Sequence, residues 1–354
     1  MSKPHSCAFF NNKGGVGKTT ALANLGHQLG VENEVVAVDL DPQCNLTQHF
    51  LQDDQWDQIY SDLRNSSGGT VWSYLEPLSK RRPLPETSKY SIQFAENERF
   101  NFRLFAGHPF VAQMDDHLAA EWPHTMLASP GAIDTTFWCA RLVDQIQANV
   151  PDVDYILFDL GPSLGPTNRS VILAADSFLA PVSPDLFSLY SFANLESWFA
   201  ALTEAMEGVK KTVNVKPDLE GEWWAERLRQ GLRVQFLGYI SQEYVTRSTK
   251  GERRATKSFE VFNAQIPDRA RAVVESLHIN DGLLAGEVKR EPAIGIMPHM
   301  FSMVAKSHSV HAPIRELSGQ DGLAGSQFKQ RDKYASDIAI LTAEWKRRMA
   351  LADE

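Results

Sequence analysis

The sequence is poor in cysteine, in long apolar runs and in positive charge, and each shortage excludes something. Three cysteines among 354 residues, Cys7, Cys44 and Cys139, are too few and too scattered for a disulfide framework or a C-x-x-C metal site. They fit a reducing cytoplasm, in which the N-x-[ST] triplets at Asn45, Asn65 and Asn168 are chance matches. No run of about 18 apolar residues occurs, so no membrane span is expected. Met1-Ser2-Lys3-Pro4-His5 leads straight into the first apolar run, which leaves no room for a secretory signal. A net charge of −9 excludes a globally basic nucleic-acid binder, so any DNA contact has to come from a local patch. No internal repeat or low-complexity tract is evident. What is present is ample apolar content, 43% of the chain, enough for a packed core in one large domain or two small ones.

The most informative stretch is Asn11-Asn12-Lys13-Gly14-Gly15-Val16-Gly17-Lys18-Thr19-Thr20. It follows a short apolar run, Cys7-Ala8-Phe9-Phe10, that reads as a strand, and it opens a helical pattern with Leu22, Leu25 and Leu29 on one face. Strand, glycine-rich turn and helix is the context that a phosphate-binding loop needs. Glycines let backbone N–H groups converge on a polyphosphate without Cβ clashes, and the helix start adds its unpaired N–H groups and positive dipole end. Lys18 is placed to reach the β- and γ-phosphates, and Thr19 to ligate Mg²⁺ through its hydroxyl. The general pattern G-x-x-x-x-G-K-[ST] asks for glycine where this chain has Asn12; a second lysine, Lys13, stands five residues before Lys18.

Further short apolar runs recur at helix-length intervals: Val35–Val38 before Asp39, Tyr155–Phe158 before Asp159, Phe178–Val182 before Ser183, and Val234–Ile240. Tyr155-Ile156-Leu157-Phe158 lacks alternation, as a strand buried on both faces should. Strands alternating with helices predict an α/β fold, doubly wound, with a mainly parallel sheet flanked by helices and ligands at the carboxyl ends of the strands. The acids fall at those ends. Asp39 and Asp41, two apart, close the second run, and Asp159 closes the third in the arrangement of a Walker B aspartate that holds Mg²⁺. Residues 52–99 and 207–231 break the rhythm and read as insertions on a single ATPase domain spanning 1–354.

The string K-G-G-x-G-K-[ST]-[ST] resembles the deviant Walker A loop of the ParA/MinD family of P-loop ATPases, closest to the ParA-type partition ATPases. Asp39-Leu40-Asp41-Pro42-Gln43-Cys44-Asn45 is similar to the family's switch segment, and Asp159-Leu160-Gly161-Pro162-Ser163-Leu164-Gly165 to its Walker B string, with Gly161 where many members have proline. Ala174-Ala175-Asp176 with Pro181-Val182-Ser183-Pro184 looks like the fourth core strand, and His311–Leu317 like the C-terminal Pro-Ile-x-Glu-Leu. Val261-Phe262-Asn263-Ala264-Gln265-Ile266-Pro267 resembles a strand leading to an Ile-Pro turn that flanks adenine.

The resemblance implies an ATPase that takes ATP and Mg²⁺ and dimerises when ATP-bound. In that picture Lys13 reaches the partner subunit's nucleotide, Lys18 acts in its own site, and Asp41 orients the attacking water. Gly14, Gly15, Val16, Gly17, Lys18, Thr19 and Thr20 cradle the nucleotide, with Gln242 and Pro267 beside adenine. Thr19, Asp39 and Asp159 serve the metal, Asp39 from its second shell. The implied output is nonspecific double-stranded DNA binding that positions or segregates DNA or another cargo, with an adaptor protein stimulating hydrolysis, in the cytoplasm or on the nucleoid.

The basic residues Arg247, Lys250, Arg253, Arg254 and Lys257, against one acid, Glu252, form a local patch suited to DNA phosphates. By the family pattern Arg271 joins them. Two alternatives stand beside this reading. One is a MinD-like positioning ATPase on a membrane or a complex; the other is a low-turnover nucleotide-binding scaffold in a secretion or defence assembly. The C-terminal stretch Ile338–Met349 is short of apolar bulk and reads as a closing helix rather than a membrane anchor, so a membrane partner is not expected. His308 and His311 lack a third ligand and read as structural, and Trp223 and Trp224 as packing residues of an insertion.

Overall fold

The computed structural model describes residues 3–60, 69–216, 219, 221–243, 247–249, 252–254, 257–277, 282–300 and 302–353, with only the backbone described for those between 247 and 260. Among the described residues seven strands form one parallel sheet, in the order β3-β2-β4-β1-β5-β6-β9. They are β1 (His5–Phe9), β2 (Val35–Asp39), β3 (Arg103–Phe105), β4 (Tyr155–Asp159), β5 (Ser177–Val182), β6 (Gln235–Gln242) and β9 (Ala293–Met297). β7 (Arg247–Thr249) and β8 (Glu252–Arg254) make a separate antiparallel hairpin. The helices are α1 (Lys18–Leu29), α2 (Asn45–Phe50), α3 (Asp53–Tyr60), α4 (Val71–Ser79), α5 (Met114–Met126), α6 (Pro130–Thr136) and α7 (Trp138–Asn149). They continue as α8 (Pro166–Ala174), α9 (Leu186–Asn214), α10 (Ala225–Gln230), α11 (Lys257–Ser276), α12 (Leu283–Arg290), α13 (Ser302–Ser309) and α14 (Ser326–Asp353).

Successive side chains of a strand point to opposite faces, and β1 shows what each face meets. Phe9 packs edge-on to Trp345 of α14, whereas Phe10 packs against Trp198 and Phe199 of α9. The two helical layers follow from this: α1, α12 and α14 contact one another on one side, and α5, α8, α9 and α11 associate on the other. β1, β2 and β4 are buried along nearly their whole length, as strands covered on both faces must be. From β1 the chain runs through α1 to β2 on one side; from β4 it runs through α8 to β5 on the other. The carboxyl ends of β1 and β4 therefore border the switch point where such sheets bind ligands.

One expectation changes, and two segments gain detail. The strand-to-turn reading of Val261–Pro267 is incorrect, because these residues lie inside α11. Ile266, Ala270, Val273, Val274 and Leu277 are buried at helical spacing, so one amphipathic stripe runs past Pro267. That burial outweighs the bond a proline removes from the turn before it. The segment 207–231 begins with the last turns of α9, which continues to Asn214. Within it Trp224 is fully buried, while Trp223 donates to Asp134 at 2.5 Å. Finally, 52–99 contributes core: Val71, Trp72, Tyr74 and Leu75 of α4 are buried, and Thr70 bridges to Ala106 just past β3.

α14 closes the domain with Tyr334, Ile338, Leu341, Trp345 and Met349 turned inward, and no helix among the described residues is long and apolar enough to cross a membrane. Arg348, also buried, donates to the carbonyls of Leu237, Glu291 and Ala293, and so pins the edge strand β9 to β6.

His49 of α2 is buried against α13. Its ring stacks on His308 with centroids 4.0 Å apart, and its Nε2 lies 2.9 Å from Ser307 Oγ and 3.1 Å from the Ala312 carbonyl. Burial, helped by the neighbouring His308, pushes His49 down to about 3 from 6.5. A depressed folded-state value means that the unfolded chain binds the proton first, so stability is full above pH 6.5 and lost as pH falls below it. Thermal melts between pH 6.5 and 5 should show wild type losing up to about 1.4 kcal/mol per pH unit more than His49→Gln. Parallel melting curves for the two proteins would contradict this assignment.

Candidate functional site

The turn between β1 and α1 is built for a polyanion. Gly15 and Gly17 take positive φ (71° and 80°), which places successive N–H groups on the inside of the turn. Gly17 caps α1 without any side-chain acceptor, so the first N–H groups of the helix stay available to a ligand. Asn12, at the position where the general motif has glycine, is tied down instead, accepting from Ser191 of α9 at 2.5 Å. Asn11 donates to the Pro181 carbonyl at 2.8 Å and accepts from the Lys13 N–H at 3.0 Å, which fixes the start of the turn to β5.

The two lysines diverge. Lys18 is buried and curls over the turn, its Nζ 3.4 Å from the Lys13 carbonyl. Burial lowers its pKa, and Asp159 and Asp41 pull it back up. Lys13 points the other way, pairing with Asp185 and lying 3.4 Å from Ser188 Oγ. Asp185 is the N-cap of α9, its second oxygen accepting from the Ser188 N–H at 3.0 Å. Beyond this pair Leu186, Phe187 and Tyr190 are exposed on the first turns of α9.

The acids meet at the carboxyl ends of β2 and β4, where Asp39 and Asp159 are in-register neighbours. Thr19 donates to Asp159 at 2.7 Å, while the other Asp159 oxygen is buried with no partner. An orphaned carboxylate oxygen beside a threonine hydroxyl fits a divalent cation, because hard oxygen donors suit Mg²⁺. Burial, and then the nearby Asp39, hold the Asp159 carboxyl well above the usual carboxylate range. Asp39, fully buried, is pushed up to about 7 by burial, against hydrogen bonds from Thr47 and from the Asp41 N–H. Asp41 lies past the strand end in a turn, accepting from the Gln43 N–H at 2.9 Å. It borders a cavity of about 290 Å³ shared with Gly161, Asp115 and Thr167.

Gln242 ends β6. Its Nε2 is buried without a partner and lies so close to Gly17 that a Cβ there would come within 2.6 Å. A cavity of about 370 Å³ opens beside it, lined among others by Tyr239, Asn263, Gly295 and Ile296. Asn263 of α11 lines this cavity and Pro267 does not.

The basic patch is split. Arg247 and Arg254 are cross-strand neighbours in the hairpin, with Arg253 opposite Ser248. Lys250, and the side chains of Arg247, Arg253, Arg254 and Lys257, lie outside the described residues. Arg271 is half-buried on α11, donating to Asp268 at 2.6 Å and to the Lys289 carbonyl at 2.7 Å. Sequence reasoning passed over Thr47, Gly107 and Asp185, all polar or small residues in loops and helix starts with no motif to mark them.

Residues 5–215 match the model of an AAA-domain family. Over 220 residues the chain is 26% identical to the chromosome partitioning protein ParA of Myxococcus xanthus, covering 60% of each. Over 192 residues it is 29% identical to the chromosome-partitioning ATPase Soj of Treponema pallidum, covering 51% of this chain and 58% of that one. It thus spans about three fifths of the length of these two relatives. Among solved structures, protein DIP2308 of Corynebacterium diphtheriae superposes with a TM-score of 0.69 at 31% identity, covering 87% of this chain and 97% of that one.

If this turn is the polyanion site, Lys18→Ala should weaken binding of a fluorescent ATP analogue at least about tenfold, as loss of a buried charge-assisted contact predicts. Asp159→Asn should abolish the Mg²⁺ dependence of that binding. Unchanged affinity in titrations of both variants would place the nucleotide elsewhere.

Proposed function

The chain belongs to the AAA-domain family matched over residues 5–215, in its ParA/MinD branch of P-loop ATPases, and from that premise we propose an ATP-driven dimerisation switch of the partition type. It hydrolyses ATP to ADP and phosphate and positions or segregates DNA, or a cargo carried on DNA, through sequence-blind contacts to phosphates. We read the chain as one ATPase domain, with 52–99 and 207–231 inserted on it. It acts in the cytoplasm, on the nucleoid when DNA is its matrix, and an adaptor protein stimulates turnover.

The observation that carries this reading is the divergence of two lysines from one turn. Lys18 turns into its own pocket and Lys13 turns out toward the start of α9. Within one chain Lys13 serves an ion pair with Asp185. In a sandwich of two chains Lys13 would leave Asp185 for the facing triphosphate. Leu186, Phe187 and Tyr190 give that face the apolar surface an interface needs. DNA contacts fall to the hairpin arginines with Lys250 and Lys257, and to Arg271 once it leaves Asp268.

Thr19 and Asp159 would hold Mg²⁺, which when bound offsets phosphate charge, with Asp39 behind them. The turn's N–H groups fix the phosphates, and Lys18 stabilises charge that builds on the β- and γ-oxygens in the loose transition state. Asp41 holds the attacking water in line. The cavity beside it leaves room for that water. Gln242 and Asn263 contact the base. The apolar side of α14 is spent inside the domain, so a membrane-anchored reading gains nothing from it.

Lys13→Ala should leave nucleotide affinity within about threefold of wild type but lower turnover at least about tenfold, because each chain still binds ATP but the dimer in which it is hydrolysed no longer forms. Light scattering with Mg·ATP should find wild type dimeric and the variant monomeric. Wild-type DNA retention should need ATP and fall steeply with salt. Retention that persists unchanged in Lys13→Ala would defeat the proposal.

A further inference from the structure

Asp39 sits at the end of β2 with its side chain folded away from solvent, and three groups that are not part of any phosphate loop hold it there. Thr47, in the first half of α2, donates to Asp39 Oδ2 twice, from its N–H at 2.9 Å and from its hydroxyl at 2.7 Å. The same hydroxyl accepts from the Gly107 N–H at 2.8 Å. The Gly107 carbonyl in turn accepts from the Tyr60 hydroxyl at 2.5 Å, and Tyr60 is the last residue of α3. A hydroxyl that donates to a carboxylate while accepting from an N–H has both roles fixed, so its geometry is fixed too.

Two further observations bear on the same line. A Cβ on Gly107 would lie 2.9 Å from the Asp39 carboxyl carbon and 3.0 Å from its Oδ2, so the loop after β3 is drawn against the acid as closely as a backbone can come. At the other end Tyr60 is clamped by rings: it stacks on Trp56 of α3 with centroids 5.1 Å apart and on His108 at 5.8 Å. His108 packs against Trp72 and Phe110 as well. An unbroken run of hydrogen bonds therefore joins α3, in the segment that departs from the strand–helix alternation, to a carboxylate beside Asp159.

We propose that Thr47 and Tyr60 are positioning residues for Asp39, coupling α3 to the hydrolytic site through the backbone of Gly107. The proposal rests on the ATPase reading above and deepens it. Neither residue touches nucleotide; Thr47 sets where the Asp39 oxygens stand, and Tyr60 sets where the Gly107 loop stands over them. Segment 52–99 is then a handle on turnover, because a displacement of α3 reaches the metal-side acid through three hydrogen bonds. Small displacements matter at such a site, since effective molarity falls steeply with misplacement.

The test compares wild type with Thr47→Val, Thr47→Ser and Tyr60→Phe. It measures kcat and KM for Mg·ATP and the Mg²⁺ concentration that half-saturates binding of a fluorescent ATP analogue. Thr47→Val keeps the shape and loses the hydroxyl; it should lower kcat about tenfold with KM within about threefold, and raise the Mg²⁺ midpoint about threefold. Thr47→Ser, which keeps the hydroxyl, should recover most of the loss. Tyr60→Phe, distant from the nucleotide and mild for packing, should lower kcat about threefold at unchanged KM.

The inference is overturned if Thr47→Val and Tyr60→Phe both keep wild-type kcat and Mg²⁺ midpoint, or if Thr47→Ser is as impaired as Thr47→Val, which would mean packing alone. Should Thr47→Val not fold, Tyr60→Phe decides. Absence of turnover in wild type would sink the ATPase reading instead, and the Mg²⁺ midpoints would still judge the positioning role.

Discussion

One buried ammonium facing buried carboxylates organises this molecule. Lys18 lies within the electrostatic reach of Asp41 and Asp159, with Asp39 behind them, all at the carboxyl ends of adjacent parallel strands. Taking such groups out of water costs several kcal/mol per ion unless they satisfy one another. The sheet order makes that compensation possible, because β1, β4 and β2 lie side by side and end level, Phe9 beside Asp159 and Asp159 beside Asp39. Burial holds the Asp39 and Asp159 carboxyls up and the Lys18 ammonium down, so their mutual attraction offsets only part of the desolvation.

Much of this was legible in the sequence, because the phosphate loop is a local object. Its glycines, Lys18 and Thr19 act through the backbone and side chains of ten consecutive residues. The strands ending in Asp39 and Asp159 were legible for a similar reason, an apolar run stopped by an acid. What escaped depends on contacts between distant segments. β3 and β9 are short edge strands whose pairing is set by their neighbours, and β9 follows a proline and contains glycine. Pro267 misled because a proline in a helix is improbable locally and tolerable only when burial on both sides of it compensates. Asp185 carries no motif, and only the packing of α9 brings it 172 residues along the chain to Lys13.

The segments that break the strand–helix rhythm are joined to the site rather than appended to it. Residues 52–99 reach Asp39 through Tyr60, Gly107 and Thr47, and they fill core space with α4. α9 offers Asp185 to one lysine at its start and carries exposed aromatics on the same turns, then continues as core for the far half of the sheet. The segments around the site thus share helices with the hydrophobic core, which ties changes at the surface to changes in the crevice.

Arg348 shows how far that tie extends. Its guanidinium, near the C-terminal end of α14, holds three carbonyls where β6 and β9 slip register, and β9 forms the outer wall of the cavity beside Gln242. The seating of the last helix thus fixes the position of the strand that walls this cavity. Were α14 to lift away, Arg348 would leave with it, and the wall of the cavity would lose the three hydrogen bonds that hold it to β6.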